Sequence, residues 1–531
     1  MSIHKGLALL FIALLIVPGM ATAEEPDAPQ ALLLQLAGSS GETETAIRAI
    51  AASGHERARE WLDAYGNNRL SQVRDTGAVV IVLSNRGRSW EVADAVTGGY
   101  LGEMSRRNLE RIGVNNAIRR QLGGVMAMMD LYRNRVEVRQ SAARDLMGRV
   151  DETIVGDVKA RLREEPDAGV RESLEQAVAV YELEAMGNVD AVAVLSGSLH
   201  PRARAALNGA MASSDPELAD AAGKAMASIE QLLKINKAAE TLYFGLSMGS
   251  VLVLAAIGLA ITFGVMGVIN MAHGELIMLG AYTTWGMQQL LPGQPGLALI
   301  LSIPAGFLVA ALAGVAIERG CIRFLKGRPL ETLLATFGVS LILQQLVRTV
   351  ISPQNRVVVS PEWMSGSLVI NDALSLTLNR LYVLGFALVV FAALMLIMRR
   401  TRLGLEVRAV TQNRAMARAM GIRATRVDIL TFALGSGVAG LAGVALSQLT
   451  NVGPNLGQNY IIDSFMVVVF GGVGNLWGTL VAGLTLGTIN QLLEPWAGAV
   501  LAKIIVLVFI ILFIQKRPKG LFPQKGRAAE A

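Results

Sequence analysis

The sequence predicts an all-α protein, a polytopic transmembrane bundle of about eight or nine crossings preceded by an exported helical domain. Two observations lead to this class. Of the 531 residues, 52% are hydrophobic, and the mean hydropathy of +0.46 exceeds the usual range of soluble proteins. The hydrophobic residues are also unevenly placed, because the chain is polar and helix-prone up to residue 241 and mostly apolar beyond it.

Residues 1–23 have the pattern of a secretory signal peptide. A weakly basic start precedes an apolar core at Leu7 to Val17, and Ala21-Thr22-Ala23 offers a cleavage site. The alternative is an uncleaved anchor, but the apolar core is shorter than the ~20 residues that a spanning helix needs. In either case residue 24 onward is expected outside. The only cysteine is Cys321, so this exported segment must be stabilised by packing and not by disulfides.

Residues 24–235 are predicted to form a periplasmic helical domain. Segments starting at Pro201 and Pro216 share Pro, Ala and Met at identical offsets, and a looser copy starts at Pro166. Helices that open at Pro with small residues on one face are typical of HEAT-like pairs, although an ordinary bundle fits as well. The segment 75–84 is predicted to be either a short strand or a buried turn of helix.

The transmembrane domain is predicted to span residues 236–515. Most of its apolar runs are long enough to cross a bilayer, while the run at 461–473 is marginal and either crosses or re-enters. The runs are 241–269, 272–291, 297–317, 332–351, 381–398, 429–449, 461–473, 476–493 and 500–514.

Basic residues between the apolar runs predict the orientation. They concentrate in the loop 318–331, in the loop 399–426 with its eight arginines, and in the basic tail 516–531. These segments are therefore expected in the cytoplasm, which places the chain before residue 241 outside and the C-terminus inside. Because the basic residues alternate with apolar runs and form no continuous face, the net charge of +6 indicates a lipid bilayer and no nucleic acid.

Two motif matches suggest an enzyme, but both lie inside apolar runs. Gly245 to Gly249 matches a nucleophile elbow, and Gly435 to Gly440 matches a dinucleotide fingerprint, yet neither follows a strand. Small residues at this spacing instead predict close helix packing. The predicted packing glycines are Gly245, Gly249, Gly437, Gly440, Gly471, Gly474 and Gly478.

The residue types predict neither a catalytic site nor a bound metal or cofactor. The sequence has no Gly-x-x-x-x-Gly-Lys-Ser/Thr loop, so ATP would have to be bound by partner chains. Its four histidines are scattered and form no metal-binding motif.

The stretch 269–280 carries polar residues between two apolar runs. Asn270, His273 and Glu275 either cap a helix at a cytoplasmic boundary or mark a broken helix that faces a substrate cavity. Further candidates for a polar substrate path lie on the neighbouring runs. They are Thr283, Thr284, Gln344, Gln345 and Gln448.

The loop 399–426 contains a segment, 404–422, that is predicted to form a short helix closed by Gly421. Its expected apolar stripe consists of Val410, Met416, Ala417 and Met420. The alternative is a basic loop that only contacts anionic lipid.

Residues 240–527 resemble the permease subunits of branched-chain amino acid type ABC importers, most closely their urea-importing relatives. The resemblance rests on 269–275 with Gly280, on 408–422 with 430–445, and on 468–478, and it includes the ending 519–522. It implies a second permease subunit, two cytoplasmic ABC ATPase subunits and a periplasmic substrate-binding protein. It also implies that the short cytoplasmic helix docks into an ATPase. The residues matching that element are Gly404, Arg408, Asn413, Ala417 and Gly421.

The predicted function is an inner-membrane permease for urea working by alternating access, because long urea-type permeases carry an exported extension and the candidate path is mostly neutral and polar. A branched-chain amino acid permease of the same family is the alternative. A periplasmic sensor or assembly protein with a membrane anchor is an alternative of another class, although so many crossings exceed what an anchor needs. An intramembrane hydrolase using His273 or Glu275 lacks a nucleophile or metal partner.

Overall fold

The structure is a computed structural model that describes residues 29–85 and 89–522. The predicted signal peptide and residues 523–531 of the basic tail lie outside the described residues. The chain divides into two compact units, Met1–Ile229 and Glu230–Ala531. Both are built mainly of helices, which confirms the predicted helical class.

The first unit contains short helices that precede and follow a sheet along the chain. Before the sheet come α1 (Pro29–Gln35), α2 (Ser40–Ala52) and α3 (Ala58–Gly66). After it come α4 (Asn116–Asp130), α5 (Val136–Leu146), α6 (Val155–Glu164), α7 (Ala168–Met186), α8 (Val189–Leu195), α9 (Pro201–Met211) and the start of α10 (Pro216–Met266).

Several of these helices begin at residues that satisfy the free backbone N–H groups of a first turn. The side chain of Asn115 accepts from the Ile118 N–H at 2.8 Å, and that of Asp167 accepts from the Val170 N–H at 3.0 Å. Pro201 and Pro216 each occupy the first position of a helix. The two Pro-led segments that resemble each other in the sequence are therefore helix starts.

Five strands between residues 70 and 111 form an antiparallel sheet, of which only the segment 75–84 was considered as a strand from the sequence. Its strands are β1 (Leu70–Val73), β2 (Val79–Ser84), β3 (Ser89–Asp94), β4 (Tyr100–Ser105) and β5 (Leu109–Arg111), in the order β4-β3-β2-β1-β5. β2 resolves the undecided segment 75–84 in favour of a strand. Its Val79 and Ile81 pack into one apolar cluster and its Val80 and Val82 into another. A strand buried on both faces shows no alternation, so its periodicity could not identify it.

A buried ionic cluster joins the helices that follow the sheet. Glu165 is 2% exposed, and its carboxylate accepts from Arg139 at 3.0 Å and from Arg161 at 2.5 Å. Burial would raise the pKa of this carboxyl, but the hydrogen bonds from Arg139 and from the Asp167 N–H, with the two arginine charges, lower it overall. The folded unit therefore favours the ionised form of the Glu165 carboxyl.

The second unit comprises the rest of α10 and the helices of the apolar region. After α10 come α11 (His273–Leu290), α12 (Pro295–Gly320), α13 (Pro329–Val350), the hairpin of β6 (Ser367–Asn371) and β7 (Leu374–Thr377), α14 (Leu378–Arg400), α15 (Arg402–Gln412), α16 (Arg414–Ala419), α17 (Ala424–Ser447), α18 (Leu456–Gly471) and α19 (Leu476–Lys516).

Six helices among the described residues are long and apolar enough to cross a membrane: α10, α12, α13, α14, α17 and α19. The predicted polytopic helical class is confirmed. The runs 272–291 and 461–473 correspond to α11 and α18, which have only 18 and 16 residues. How many of these segments cross the bilayer stays a prediction.

The long helix α19 is two helices that meet at a break. Gly498 has the non-helical dihedrals φ 75° and ψ 159°. A Cβ atom added at Gly471 would lie 2.5 Å from Gly478 at the start of α19, while the Phe522 N–H, beyond its end, donates to the Gly471 carbonyl at 3.2 Å. Both ends of α19 therefore lie beside the same residue, so the chain reverses at the break. This reversal matches the two separate apolar runs at 476–493 and 500–514.

Candidate substrate path and coupling element

The connection between α10 and α11 is a buried helix break. α10 ends at Met266, Gly267 adopts a φ of 66°, and α11 begins at His273. The Asn270 side chain accepts from the Ala272 N–H at 3.0 Å, which ties down the chain before the new helix. Asn270 is 1% exposed and His273 is fully buried, so the polar residues that the sequence singled out lie inside the unit.

The break lies level with the middle of α17, a long apolar helix. The His273 Nε2 atom is 2.9 Å from the Ala255 carbonyl oxygen of α10. One turn further along α10, a Cβ atom added at Gly258 would lie 3.0 Å from the His273 ring and would also meet the Gly435 carbonyl. Gly435 is near the centre of α17. This position favours the broken-helix interpretation over a cap at a membrane boundary.

Side chains of α13 complete a polar cluster around Glu275. The Ser340 hydroxyl and the Gln344 amide donate to the same Glu275 oxygen, Oε1, at 2.9 and 2.8 Å. The Thr336 hydroxyl oxygen accepts from the Met271 N–H at 3.1 Å. Ser340 and Thr336 belong to the site but were not predicted, although they lie four and eight residues before Gln344 and so share its helix face.

Three buried polar atoms at this break have no hydrogen-bond partner among residues 29–85 and 89–522. They are Nδ2 of Asn270, Nδ1 of His273 and Oε2 of Glu275. An unpaired buried polar atom costs about 1–3 kcal/mol, and natural proteins seldom keep one without a reason. Each of these atoms is therefore a candidate for binding a polar group.

Two helix starts meet at the break. α18 begins at Leu456, and a Cβ atom added at Gly274 would lie 2.6 Å from the carbonyl oxygen of Gly457. The first N–H groups of a helix have no intrahelical partner and carry partial positive charge. Paired starts of broken helices favour negative charge on a bound group. The helix α18, which contains most of the marginal run 461–473, therefore has its N-terminal end at the break.

The other predicted path residues lie away from this cluster. The Thr283 and Thr284 hydroxyls donate to carbonyls one turn earlier in α11, at 2.8 and 3.3 Å. Gln345 is exposed and donates to the Thr349 hydroxyl. Gln448 is buried at the far end of α17 beside an apolar cavity of about 260 Å³. The structure joins Glu275 to Gln344, whereas Asn270 and His273 contact the Ala272 N–H and the Ala255 carbonyl beside them, and the other four residues lie outside these contacts.

Most of the predicted packing glycines lie where backbones approach closely, while Gly437 lies against the Phe307 side chain. A Cβ atom at Gly245 would be 2.7 Å from the Thr488 Cα atom, and one at Gly249 would be 2.7 Å from the Leu484 Cα atom. Such contacts exclude any side chain at these positions. Gly437 and Gly440 face α12, Gly471 and Gly478 face each other, and Gly474 faces Gly264.

The basic loop after α14 forms two helices, α15 and α16. The prediction of one short helix is wrong in this respect, because the Asn413 side chain accepts from the Met416 N–H at 2.9 Å and starts a new helix. Gly421 closes the element at a φ of 89°, as expected for its predicted role. Met420 adopts the C-cap position of α16.

The apolar stripe predicted for this element is also partly wrong. Val410 and Ala417 are buried, together with Val407, Ala424 and Val427. Met416 and Met420 are 60% and 77% exposed instead. The break at Asn413 changes the helical phase, so a stripe drawn through one continuous helix assigns the wrong face.

Gly404 and Arg408 attach the element to the end of α14. The Arg408 guanidinium donates to the Met398 carbonyl, and a side chain at Gly404 would collide with the same residue's backbone. These two predicted coupling residues therefore contact the chain's own α14. The exposed surface of the element is provided by other residues, including Leu405, Met416 and Met420.

Asp428 anchors the same element from the other side. It is 2% exposed, and one carboxylate oxygen, Oδ2, is ion-paired with both Lys326 and Arg414. Lys326 belongs to the connection between α12 and α13, whereas Arg414 opens α16. Asp428 was not predicted as part of this element, since the many arginines around it indicate orientation first. The available signal was a single acidic residue at the start of an apolar run that follows eight arginines.

These features define a class of protein, namely a multi-pass helical transport subunit with a buried polar break and a helical element on a basic loop. Residues 241–514 match the family described as branched-chain amino acid transport system / permease component. The chain belongs to this family, whose membership confirms the predicted permease class and a multi-pass protein of the inner membrane.

Curated relatives agree with this assignment. The chain is 29% identical over 292 residues to the high-affinity branched-chain amino acid transport system permease protein LivH of Salmonella typhimurium, covering 53% of this chain and 94% of LivH. It is 29% identical over 290 residues to BraD, a permease protein of the same description from Pseudomonas aeruginosa, covering 52% and 93%. The ribose import permease protein RbsC of Escherichia coli is 27% identical over 224 residues, covering 40% and 66%. No solved structure matches.

These relatives bear on the predicted substrate. They support the permease class, but they do not support urea, and the alternative of branched-chain amino acids fits them better.

Proposed function

We propose that this protein is the permease subunit of an ATP-driven ABC importer that moves branched-chain amino acids across the inner membrane by alternating access. The observation that carries the proposal is the similarity to LivH and BraD along nearly their whole length. The buried helix starts at Gly274 and Gly457 agree with it chemically, since an amino acid carries a carboxylate that such ends favour.

The proposed assembly contains a second permease subunit, two cytoplasmic ABC ATPase subunits and a periplasmic substrate-binding protein. The sequence has no phosphate-binding loop of its own, so ATP hydrolysis belongs to partner chains. Exposed apolar side chains on α15 and α16 offer a surface for an ATPase subunit, because exposed Leu and Met on a basic cytoplasmic element are otherwise unfavourable.

The coupling role can be tested by placing a charge on this surface. Met420→Asp is expected to abolish uptake while leaving the amount of protein in the membrane unchanged. Docking of the ATPase subunit would bury the new carboxylate in the interface, which is costly. Met186→Asp is the matched control, since Met186 is 64% exposed in the first unit. Equal uptake by the two variants would contradict the proposed docking surface.

Two further variants test how the element is held. Gly421→Ala forces a side chain into a left-handed backbone conformation, and Arg408→Ala removes the bond to the Met398 carbonyl. Both are expected to reduce uptake per molecule of ATP hydrolysed in membranes that contain the partner subunits. Unchanged ratios in both variants would refute the coupling assignment.

We also propose that residues 24–235 lie in the periplasm and the C-terminus in the cytoplasm. The supporting observation is the distribution of basic residues described above. Single cysteines placed at Ser213 and at Arg517, in a Cys321→Ser background, should react with a membrane-impermeant thiol reagent from the periplasmic and the cytoplasmic side, respectively. The reverse pattern would overturn the orientation.

Urea is the second candidate substrate. The observation that favours it is that the LivH alignment covers only 53% of this chain, so the exported unit has no counterpart there, and the resemblance to long urea-type permeases includes such an extension. Uptake of labelled leucine and labelled urea should be compared in cells with and without the gene. Loss of leucine uptake supports the first proposal, whereas loss of urea uptake alone reverses the choice of substrate.

The same uptake assay tests the sensor alternative. A deletion of residues 24–229 behind the signal peptide removes the described part of the first unit up to its boundary in α10. Retained uptake would make the exported unit accessory. If the full-length chain supports no uptake of either substrate, the sensor or assembly role takes precedence.

A further inference from the structure

A cavity of about 440 Å³ with a mixed polar and apolar lining lies beside the start of α18. Amide side chains of Asn355, Asn451 and Asn459 line it, and Lys503 adds a cation. Met248 and Leu456 contribute apolar surface to the same cavity. The lining therefore combines one positive charge, several neutral donors and acceptors, and an apolar patch.

Lys503 is held in position by a buried carboxylate. Its ammonium group is 2.9 Å from Oδ2 of Asp463 in α18, and the Asp463 side chain is only 5% exposed. The Lys503 side chain is 49% exposed, so the ammonium retains free donors toward the cavity. An ion pair between two apolar helices is energetically costly, and such pairs are usually retained for a function. Lys503 is therefore a candidate for ligand binding.

The walls of the cavity are fixed by contacts between separate segments. The backbone of Arg356, next to Asn355, pairs with that of Val452 through hydrogen bonds of 2.7 and 2.9 Å. The Asn455 side chain accepts from Arg348 at 2.7 Å and does not cap α18. The first turn of α18 therefore remains without a side-chain cap at the edge of the cavity.

We propose that this cavity is a binding site for the α-amino acid substrate, in which Lys503 binds the carboxylate. The amides of Asn355, Asn451 and Asn459 then bind the remaining polar atoms, and Met248 and Leu456 contact the aliphatic side chain. The inference rests on the proposed import of branched-chain amino acids. It assigns a second location for the substrate, because none of these residues belongs to the polar cluster around Glu275. Urea has no carboxylate and gains nothing from the cation.

The first experiment measures the kinetics of labelled leucine uptake by the complete transporter in membrane vesicles. Lys503→Gln is expected to raise KM about tenfold or more, because a charge-assisted hydrogen bond is lost. Lys516→Gln, a substitution of the same type at the last residue of α19, is expected to leave KM unchanged. An unchanged KM in Lys503→Gln overturns the site while leaving the proposed function intact.

The second experiment restores the charge after assembly. In a Cys321→Ser background, Lys503→Cys is expected to have the raised KM, and modification with aminoethyl methanethiosulfonate should lower it again. Methyl methanethiosulfonate adds a small neutral group and should give no recovery. Equal recovery with both reagents would show that side-chain bulk matters and would overturn the proposal.

The two levels of failure are distinguishable. If the unmodified transporter takes up no leucine, the proposed function fails and the carboxylate site fails with it. If leucine uptake is normal and insensitive to the charge at position 503, only the site fails.

Discussion

The meeting of two helix starts at Gly274 and Gly457 leads to a sharp prediction about a single methyl group. In Gly274→Ala the new Cβ atom would lie 2.6 Å from the Gly457 carbonyl oxygen and 2.8 Å from its carbonyl carbon. Both atoms belong to backbone, so they cannot rotate away, and α11 and α18 must separate by several tenths of an ångström. Overpacking of this kind costs about 1–3 kcal/mol.

Gly286→Ala in the same helix is the matched control. Apart from the backbone of its own helix, no atom of the described residues lies within 4 Å of a Cβ atom added there, so the substitution should be neutral or stabilise the helix by up to about 1 kcal/mol. Thermal unfolding of the purified protein and substrate uptake by the complete transporter are measured for both variants. We expect Gly274→Ala to unfold at a lower temperature and to lose most of its uptake. Identical behaviour of the two variants would refute the close approach of α11 and α18.

Further predictions concern buried polar groups. Asp428→Asn should weaken the attachment of α16 by about 1–3 kcal/mol, because the cationic partners Lys326 and Arg414 are partly exposed and regain water. The variant should lower uptake per ATP hydrolysed more than it lowers protein abundance. Gln344→Leu should impair uptake by removing a donor to Glu275, whereas Gln345→Leu, one position further along and exposed, should not. Because the pKa of Glu165 is lower in the folded than in the unfolded chain, its ionised form stabilises the first unit at pH values above the unfolded pKa. This contribution is lost as the pH falls through the folded pKa. Glu165→Gln should cost about 3 kcal/mol at neutral pH and flatten that acid dependence, measured by hydrogen exchange of residues 136–186 in the intact protein. A pH dependence unchanged by Glu165→Gln would contradict its assignment to this residue.

Local features of the sequence sufficed to predict most helices of the membrane unit. A run of apolar residues ends where polar or glycine residues begin, so the runs at 297–317 and 332–351 closely match α12 and α13. The sheet at 70–111 was missed for the opposite reason. Its strands have three to six residues, too few to show a period, and β2 is covered on both faces.

The candidate site was only half predictable. Asn270, His273 and Glu275 stand out because polar groups are rare in apolar runs. Their partners do not stand out. Gln344 and Gln345 are neighbouring residues of the same type, and only the orientation of α13 about its axis decides that Gln344 is the buried one. The contact of Gly274 with Gly457 joins positions 183 residues apart. No local signal in the sequence connects two positions so far apart.

The position of α17 gives a physical route between the coupling element and the buried break. Asp428, in its first turns, is ion-paired with Arg414 of α16. Gly435 lies seven residues further on, about 10 Å along the helix axis, and packs against Gly258 of α10 beside His273. A straight helix transmits a displacement over this distance with little loss, and an added side chain at Gly435 would collide with the Gly258 carbonyl. A force applied to α16 should therefore move the part of α17 that packs beside His273. Asp428→Asn is expected to reduce this movement without changing any atom of the cluster itself, so its effect on uptake should appear with substrate affinity unchanged.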